Sequence, residues 1–253
     1  MIVIAGFGFV GQAHYDVFKQ HNNLIIVDPL HNNTQLNELE NVTGVICCVS
    51  TPSKGGGACD VSNILDVLSK TPVDAPVLIK STIDLKGWKK IRREFPDHFI
   101  TFSPEFLRAV SAVNDLLLTT QFILAGESVI FWRDFYKSRN KKSEFLLMSV
   151  EEAILTKYFR NAFLATKVSF FNEVYDLCLE YDIDFDSVRQ GITDDTRIGA
   201  SHSFVDPDYS RGWGGMCFPK DTRALLKIAK DKKINLNTIN AAVDYNKIVR
   251  KKP

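Results

Sequence analysis

No stretch of this sequence stays apolar long enough to cross a membrane, for which a helix needs about 20 such residues in a row. No basic segment with a cleavage site precedes the first apolar run, so Met1 opens on a strand pattern rather than a leader. An excess of one charge is also lacking: 31 basic residues face 30 acidic ones, for a net charge of +1. That balance gives no electrostatic reason to expect nucleic acid or an anionic membrane as partner, and the lysines between positions 137 and 142 read as a solvated face. Cysteine is sparse and unpatterned. Cys47, Cys48, Cys59, Cys178 and Cys217 are odd in number and irregular in spacing. This argues against a disulfide framework and against a metal site, and for a reducing, cytoplasmic compartment. Internal repeats and low-complexity tracts are absent. What remains is a chain of 253 residues, enough for one large or two ordinary domains.

The first half reads as α/β. Met1–Ala5 is a short apolar strand, and Gly6-Phe7-Gly8-Phe9-Val10-Gly11 follows at once, then a helical stretch to Phe18 and a second strand, Leu24–Val27, ending in Asp28. This is a dinucleotide fingerprint in its required context. Gly6 permits the turn, Gly8 lets a pyrophosphate approach the backbone at a helix N-terminus, and Gly11 lets helix and sheet pack closely. Asp28 is placed to accept from ribose hydroxyls, which favours NAD over its 2′-phosphorylated form. Further strands are expected at Val45–Val49, Val77–Lys80, Phe99–Phe102 and Phe122–Gly126, with a β-like segment at Ser143–Met148. In a parallel sheet, ligands lie beyond the strands' carboxyl ends, and Thr51, Thr82 and Glu105 all fall there. Each alone reads better as a cap or turn residue; their shared position is the signal.

The second half reads as helical. From Val150 to about Tyr181 no proline or glycine interrupts the chain, and Lys157 and Asn161, four apart, share a face. Ile154, Phe159, Phe163, Leu164, Val168, Phe171, Val174 and Leu177 make the rest apolar enough for a domain or dimer interface. Lys157 either meets a partner or ligand there or extends to water. Shorter helices are expected from Asp184, over Thr222–Lys230 and over about Leu236–Val249. The most informative stretch is Gly212-Trp213-Gly214-Gly215-Met216-Cys217-Phe218-Pro219-Lys220-Asp221. Adjacent glycines turn the chain, and Pro219 suits the first turn of a helix. Cys217 then sits at a helix N-terminus beside Lys220, where a thiolate nucleophile is favoured. The alternative is a cysteine packed as a small hydrophobe.

Taken in order, several motifs resemble the nucleotide-sugar dehydrogenase family, typified by UDP-glucose 6-dehydrogenase. They are Gly6–Gly11, Ser50-Thr51-Pro52, Ser81-Thr82, Ser103–Arg108, Lys157–Lys167, Arg197-Ile198-Gly199 and Gly214–Asp221. The resemblance implies a shortened Rossmann-type parallel sheet over 1–149 that binds NAD. It implies an all-helical central domain over 150–253, carrying the cysteine loop and a long dimerisation helix. It further implies oxidation of a nucleotide-sugar primary alcohol to a carboxylate with two NAD and no metal. Cys217 would be the nucleophile, Glu105 the base for thioester hydrolysis, and Thr82 and Asp221 the holders of the water. Lys157 and Asn161 would stabilise the oxyanion. The cofactor would meet Gly6, Phe7, Gly8, Phe9, Val10, Gly11, Asp28, Ser50, Thr51, Pro52, Ser81, Thr82 and Lys220. The substrate would meet Glu105, Phe106, Leu107, Arg108, Lys157, Asn161 and Gly214, with Arg197 reaching its phosphates from a second copy in a homodimer. Three departures accompany the resemblance: Ala109 replaces a second acid, the segment from Asp28 to Val45 is too short for the usual strand and helix, and Pro253 precedes the family's second nucleotide-binding domain. Two other readings stay open: an idle NAD-binding dimer that needs a partner chain, and an NAD-dependent hydroxyacid dehydrogenase, which needs no cysteine.

Overall fold

A computed structural model describes residues 1–54, 58–206, 211–215 and 217–250; Met216 of the cysteine loop lies outside them. The chain divides into two compact units: residues 1–54 with 58–157, and the chain from Tyr158 onward.

The first unit is built on a seven-stranded sheet. Its strands are β1 (Ile2–Ala5), β2 (Leu24–Val27), β3 (Gly44–Cys47), β4 (Val77–Ile79), β5 (Ile100–Phe102), β6 (Gln121–Gly126) and β7 (Glu144–Leu147), in the order β2-β1-β3-β4-β5-β6-β7. β1, β3, β4 and β5 are buried along their whole length. That explains why they are apolar apart from Thr101, because a parallel strand covered on both faces has no polar side to show. Helices α1 (Phe9–Phe18), α2 (Ser62–Lys70), α3 (Leu85–Glu94), α4 (Ala112–Leu118) and α5 (Val129–Arg139) accompany the sheet. Ile4, Ile46, Leu78 and Leu124 of the sheet join Ala13, Phe18, Trp132 and Tyr136 in one core.

The sheet is parallel, as expected, except at one pairing: β6 runs antiparallel to β5, with Phe102 opposite Ala125. The connection through α4 leaves the chain at the edge where β5 ended, so β6 enters the sheet from that edge. Apolar patterning specifies burial and is silent about direction. The short Asp28–Val45 connection holds only one 3₁₀ turn, Leu36–Glu38, between β2 and β3. β2 is therefore an edge strand, half-buried throughout, and Asn32 Nδ2 donates to its Ile26 carbonyl at 2.8 Å.

The helical elements are α6 (Val150–Glu180), α7 (Phe185–Thr193), α8 (Phe218–Asp231) and α9 (Asn237–Val249). α6 has 31 residues and spans about 46 Å at 1.5 Å per residue; the boundary between the units falls inside it. Asp184 caps α7 by accepting from Ser187 N–H at 2.9 Å. α8 begins with Cys217 at its N-cap and a proline in its first turn. Among the described residues, no helix is long and apolar enough to cross a membrane.

Candidate functional site

The glycine turn lies at the carboxyl end of β1, where the sheet order reverses between β2 and β3. Each glycine has a separate reason. Gly6 has φ +93°, and a Cβ there would lie 2.8 Å from the Cys48 carbonyl carbon. At Gly11 a Cβ would lie 2.1 Å from the Gly6 oxygen. At Gly8, the N-cap of α1, it would meet nothing within 4 Å. Gly8 thus borders open space at a helix N-terminus, which suits an anionic pyrophosphate. Asp28 is tied to this turn: Phe7 N–H donates to Oδ2 at 2.6 Å and Leu30 N–H to Oδ1 at 2.8 Å. The residues present fit a dinucleotide.

At the neighbouring strand ends, Ser81 Oγ donates to the Val49 carbonyl at 2.6 Å, so this serine stitches β4 to the end of β3. Asn63 Nδ2 holds the Ser50 carbonyl at 2.9 Å. Thr51 is buried, Thr82 half-buried and Pro52 exposed.

Beyond β5, Glu105 is fixed twice. Leu107 N–H donates to its Oε2 at 2.6 Å, and Lys157 Nζ donates to its carbonyl oxygen at 2.8 Å and approaches Oε1 at 3.4 Å. Lys157 is buried and also lies 5.6 Å from the Phe106 ring, so its burial is justified by partners rather than escape to water. Arg108 is exposed and doubly bonded to Asp115, by Nη2 at 2.6 Å and Nε at 3.1 Å.

The sequence reading did not single out Lys80. It follows β4 directly, and because Ile79 pairs with Phe102, its side chain reaches Ser103, donating to Oγ at 3.1 Å. Burial lowers its ammonium pKa to about 8, with the charge of Lys157 lowering it too and Glu105 and Cys48 opposing. The signal available in the sequence was a lysine closing an otherwise apolar strand just before Ser81-Thr82. Nearby, His14 is buried between the Val10 carbonyl and the Tyr136 hydroxyl, and burial holds its pKa down at about 3, so it is neutral.

In the helical unit, Cys217 is exposed, and its carbonyl accepts from Asp221 N–H at 2.9 Å. Asp221 is 1% exposed. Its Oδ2 accepts from Asn161 Nδ2 at 2.6 Å, whereas Oδ1 has no hydrogen-bond partner among the described residues and lies 3.7 Å from Lys220 Nζ. Arg197 stands on the surface with its guanidinium on Asp195, Nε at 3.0 Å and Nη2 at 2.5 Å. Lys167 Nζ donates to the Ile198 and Gly199 carbonyls at 2.8 and 2.7 Å and so fixes the turn that carries Arg197. Within each unit the structure brings some of the expected site residues together: Glu105 meets Lys157, Asp28 meets the glycine turn, and Asn161 and Lys220 meet Asp221. Arg108 is held by Asp115 and Arg197 by Asp195.

Residues 151–248 match the UDP-glucose/GDP-mannose dehydrogenase family, central domain. A UDP-glucose 6-dehydrogenase of Rickettsia bellii is 33% identical over 222 residues, covering 83% of this chain and 50% of that protein. One from Campylobacter jejuni is 29% identical over 291 residues, covering 99% of this chain and 72% of the relative. The chain spans about half the length of the Rickettsia relatives, 50% and 52% for those of R. bellii and R. prowazekii. Among solved structures, a UDP-glucose dehydrogenase from Pyrobaculum islandicum superposes with a TM-score of 0.80 at 22% identity, over 98% of this chain and 68% of that one. A GDP-mannose dehydrogenase from Pseudomonas aeruginosa gives 0.67 at 20% identity. At these identities the likeness to solved structures concerns the fold.

Proposed function

We propose that this chain forms the cofactor-binding and catalytic portion of an NAD-dependent nucleotide-sugar dehydrogenase. It would oxidise the 6-hydroxymethyl of a UDP-glucose-like sugar to a carboxylate with two NAD, residues 1–149 binding the cofactor and 150–253 carrying the cysteine. The observation behind this reading is Asp221. One oxygen of this buried carboxylate is bound by Asn161, the other lacks a hydrogen bond, and the exposed Cys217 sits one turn earlier at the head of the same helix. A buried carboxylate oxygen left without a donor is costly unless a water or hydroxyl reaches it.

The glycine turn from Gly6 to Gly11, with Asp28, Thr51, Ser81, Thr82 and Lys220, would hold NAD, which when bound supplies the hydride acceptor for both oxidations. Lys157 and Asn161 donate to the oxygen on the reacting carbon and stabilise its negative charge. The alcohol carbon first gives up a hydride while its hydroxyl proton passes to solvent, leaving the aldehyde; the Cys217 thiolate then adds to the aldehyde carbon as the carbonyl electron pair moves onto oxygen, giving the thiohemiacetal anion. Loss of hydride from that carbon leaves a thioester. Thr82 and Asp221 hold a water that gives its proton to Glu105 and adds to the acyl carbon. The carbon–sulfur bond then breaks, restoring the thiolate, and the new carboxylic acid loses its proton to solvent and leaves as the carboxylate. Phe106, Leu107, Arg108 and Gly214 would border the sugar. Arg197 would exchange Asp195 for a substrate phosphate.

A homodimer through α6 is part of this reading. Phe159, Phe163, Phe170 and Leu177 recur at intervals of four and seven, so they share one face, and all four are exposed. A cytoplasmic location fits five cysteines of which none is in a disulfide. The test is NADH formation with UDP-glucose, UDP-N-acetylmannosamine and GDP-mannose. Two NADH per sugar are expected with one of them, and Cys217→Ser should stop the reaction before the carboxylate. NAD binding without NADH from any sugar would leave an idle dimer instead.

A further inference from the structure

The residues that precede the cysteine loop are held by side chains from two helices rather than by regular secondary structure. Trp213 is central. Its backbone N–H donates to Asn246 Oδ1 at 2.7 Å, and Asn246 Nδ2 donates back to the Trp213 carbonyl at 3.0 Å. One amide of α9 thus pairs both backbone groups of a single loop residue, as a neighbouring strand would. The indole Nε1–H donates to Ser169 Oγ at 2.9 Å, and Ser169 donates in turn to the Ala242 carbonyl at 3.2 Å. Gly212 N–H donates to Asn172 Oδ1 at 3.2 Å. Arg211 reaches the same oxygen at 3.3 Å through Nε and the Asp176 carboxylate at 2.6 Å through Nη1. Tyr245 closes the ring of contacts by donating to Asp176 at 2.6 Å.

Trp213, Ser169, Asn172 and Asn246 are all buried. Gly212 has φ +75°, and a Cβ there would lie 2.3 Å from Asn246 Oδ1, so the close approach of α9 also dictates the glycine. In contrast, Gly215 and Cys217 are exposed, and a Cβ at Gly215 would meet nothing within 4 Å. The loop is rigidly tied on one side, at 211–213, and on the other enters α8.

We propose that Asn246, with Asn172 and Ser169, is a clamp that positions the Cys217 thiol. This rests on the reading of Cys217 as nucleophile, and Asn246 is a positioning residue, distant in sequence and acting only through the backbone. Its loss leaves the thiol present and the loop attached to α8, but lets Trp213–Gly215 sample orientations that carry the Cys217 sulfur away from the aldehyde carbon. Displacements of about 1 Å are enough to cost on the order of a hundredfold in rate.

The test compares Asn246→Ala, Asn246→Gln and Trp213→Phe in the full chain. Amide hydrogen exchange reads the clamp without any reaction. In Asn246→Ala, exchange at Gly214, Gly215 and Cys217 should rise at least tenfold, while α6 and the sheet keep wild-type protection. With a substrate that turns over, the first oxidation should keep its kcat and KM and the second should slow at least tenfold. Asn246→Gln, which can still pair both Trp213 groups, should recover most of that loss, and Trp213→Phe, which removes only the indole donor, should give a smaller effect in the same direction. Unchanged exchange at Gly214–Cys217 in both Asn246→Ala and Trp213→Phe would overturn the clamp. So would fast exchange with an unslowed second oxidation. A wild-type chain that makes no NADH would count against the nucleophile reading alone, since the exchange result stands apart from it.

Discussion

Two glycines of the same turn should fail in opposite ways when given a methyl group. At Gly11 the added Cβ would lie 2.1 Å from the Gly6 carbonyl oxygen, 3.1 Å from its carbon and 3.3 Å from the Ile4 side chain. The first neighbour is backbone, fixed by a hydrogen bond from Gly6 N–H to Val27 in the sheet, so α1 must shift away from β1. Overpacking of this kind costs about 1–3 kcal/mol, and a clash with backbone belongs at the upper end. At Gly8 the Cβ meets nothing, and φ −68° with ψ −174° suits alanine. The poorer cap and the stiffer unfolded chain offset one another, leaving a net change below about 1 kcal/mol. Yet that methyl projects into the space that a pyrophosphate would fill. Calorimetric melting should therefore show Gly11→Ala lowered by roughly 6–12 °C, at about 2–4 °C per kcal/mol for a chain of this size. Gly8→Ala should melt within about 3 °C of wild type. NAD titration should show Gly8→Ala weakened at least tenfold, about 1.4 kcal/mol. A Gly8→Ala protein that binds NAD normally would refute the dinucleotide reading of the turn, and a Gly11→Ala protein that melts like wild type would refute the packing argument.

Asn161→Ala removes the amide that donates to the buried Asp221 side chain and should destabilise the chain by about 1–3 kcal/mol in urea unfolding; a loss under about 0.5 kcal/mol would mean that water replaces the amide freely. Lys80 has its pKa lowered from 10.5 to about 8 by burial, so between these values the unfolded chain binds the extra proton. Stability from this group therefore rises with pH through that window, by roughly 3 kcal/mol in total, and is least below pH 8, where both states are charged. The difference in unfolding free energy between wild type and Lys80→Met should track that rise, and a difference flat from pH 7 to 11 would contradict it. Phe163→Asp should convert a dimer to monomers in sedimentation with unchanged circular dichroism; a wild-type chain that already sediments as a monomer would exclude the α6 dimer.

The residues that sequence revealed are those whose role is local. Four strands buried on both faces advertise themselves as apolar runs, the glycine turn sits between two of them, and α6 shows as a long stretch without proline or glycine. The start of α8 was visible in Pro219, and Cys217 stands where that predicts. Features fixed by partners distant in the chain were not visible. The direction of β6 depends on how α4 returns the chain, not on any residue within the strand. Lys80 matters because the β4–β5 register sets it beside Ser103, and the Trp213–Asn246 pairing joins residues 33 apart. The hold of Asp195 on the Arg197 guanidinium, two residues apart, likewise shows only in the structure.

The missing strand beyond β2 has a consequence for solubility. An outermost strand offers a row of backbone donors and acceptors to any other extended chain. Here the row is only four residues long, and the Asn32 side chain already occupies the Ile26 acceptor. One amide thereby does part of what an extra strand would have done, and shields the sheet from growing, strand by strand, into an aggregate.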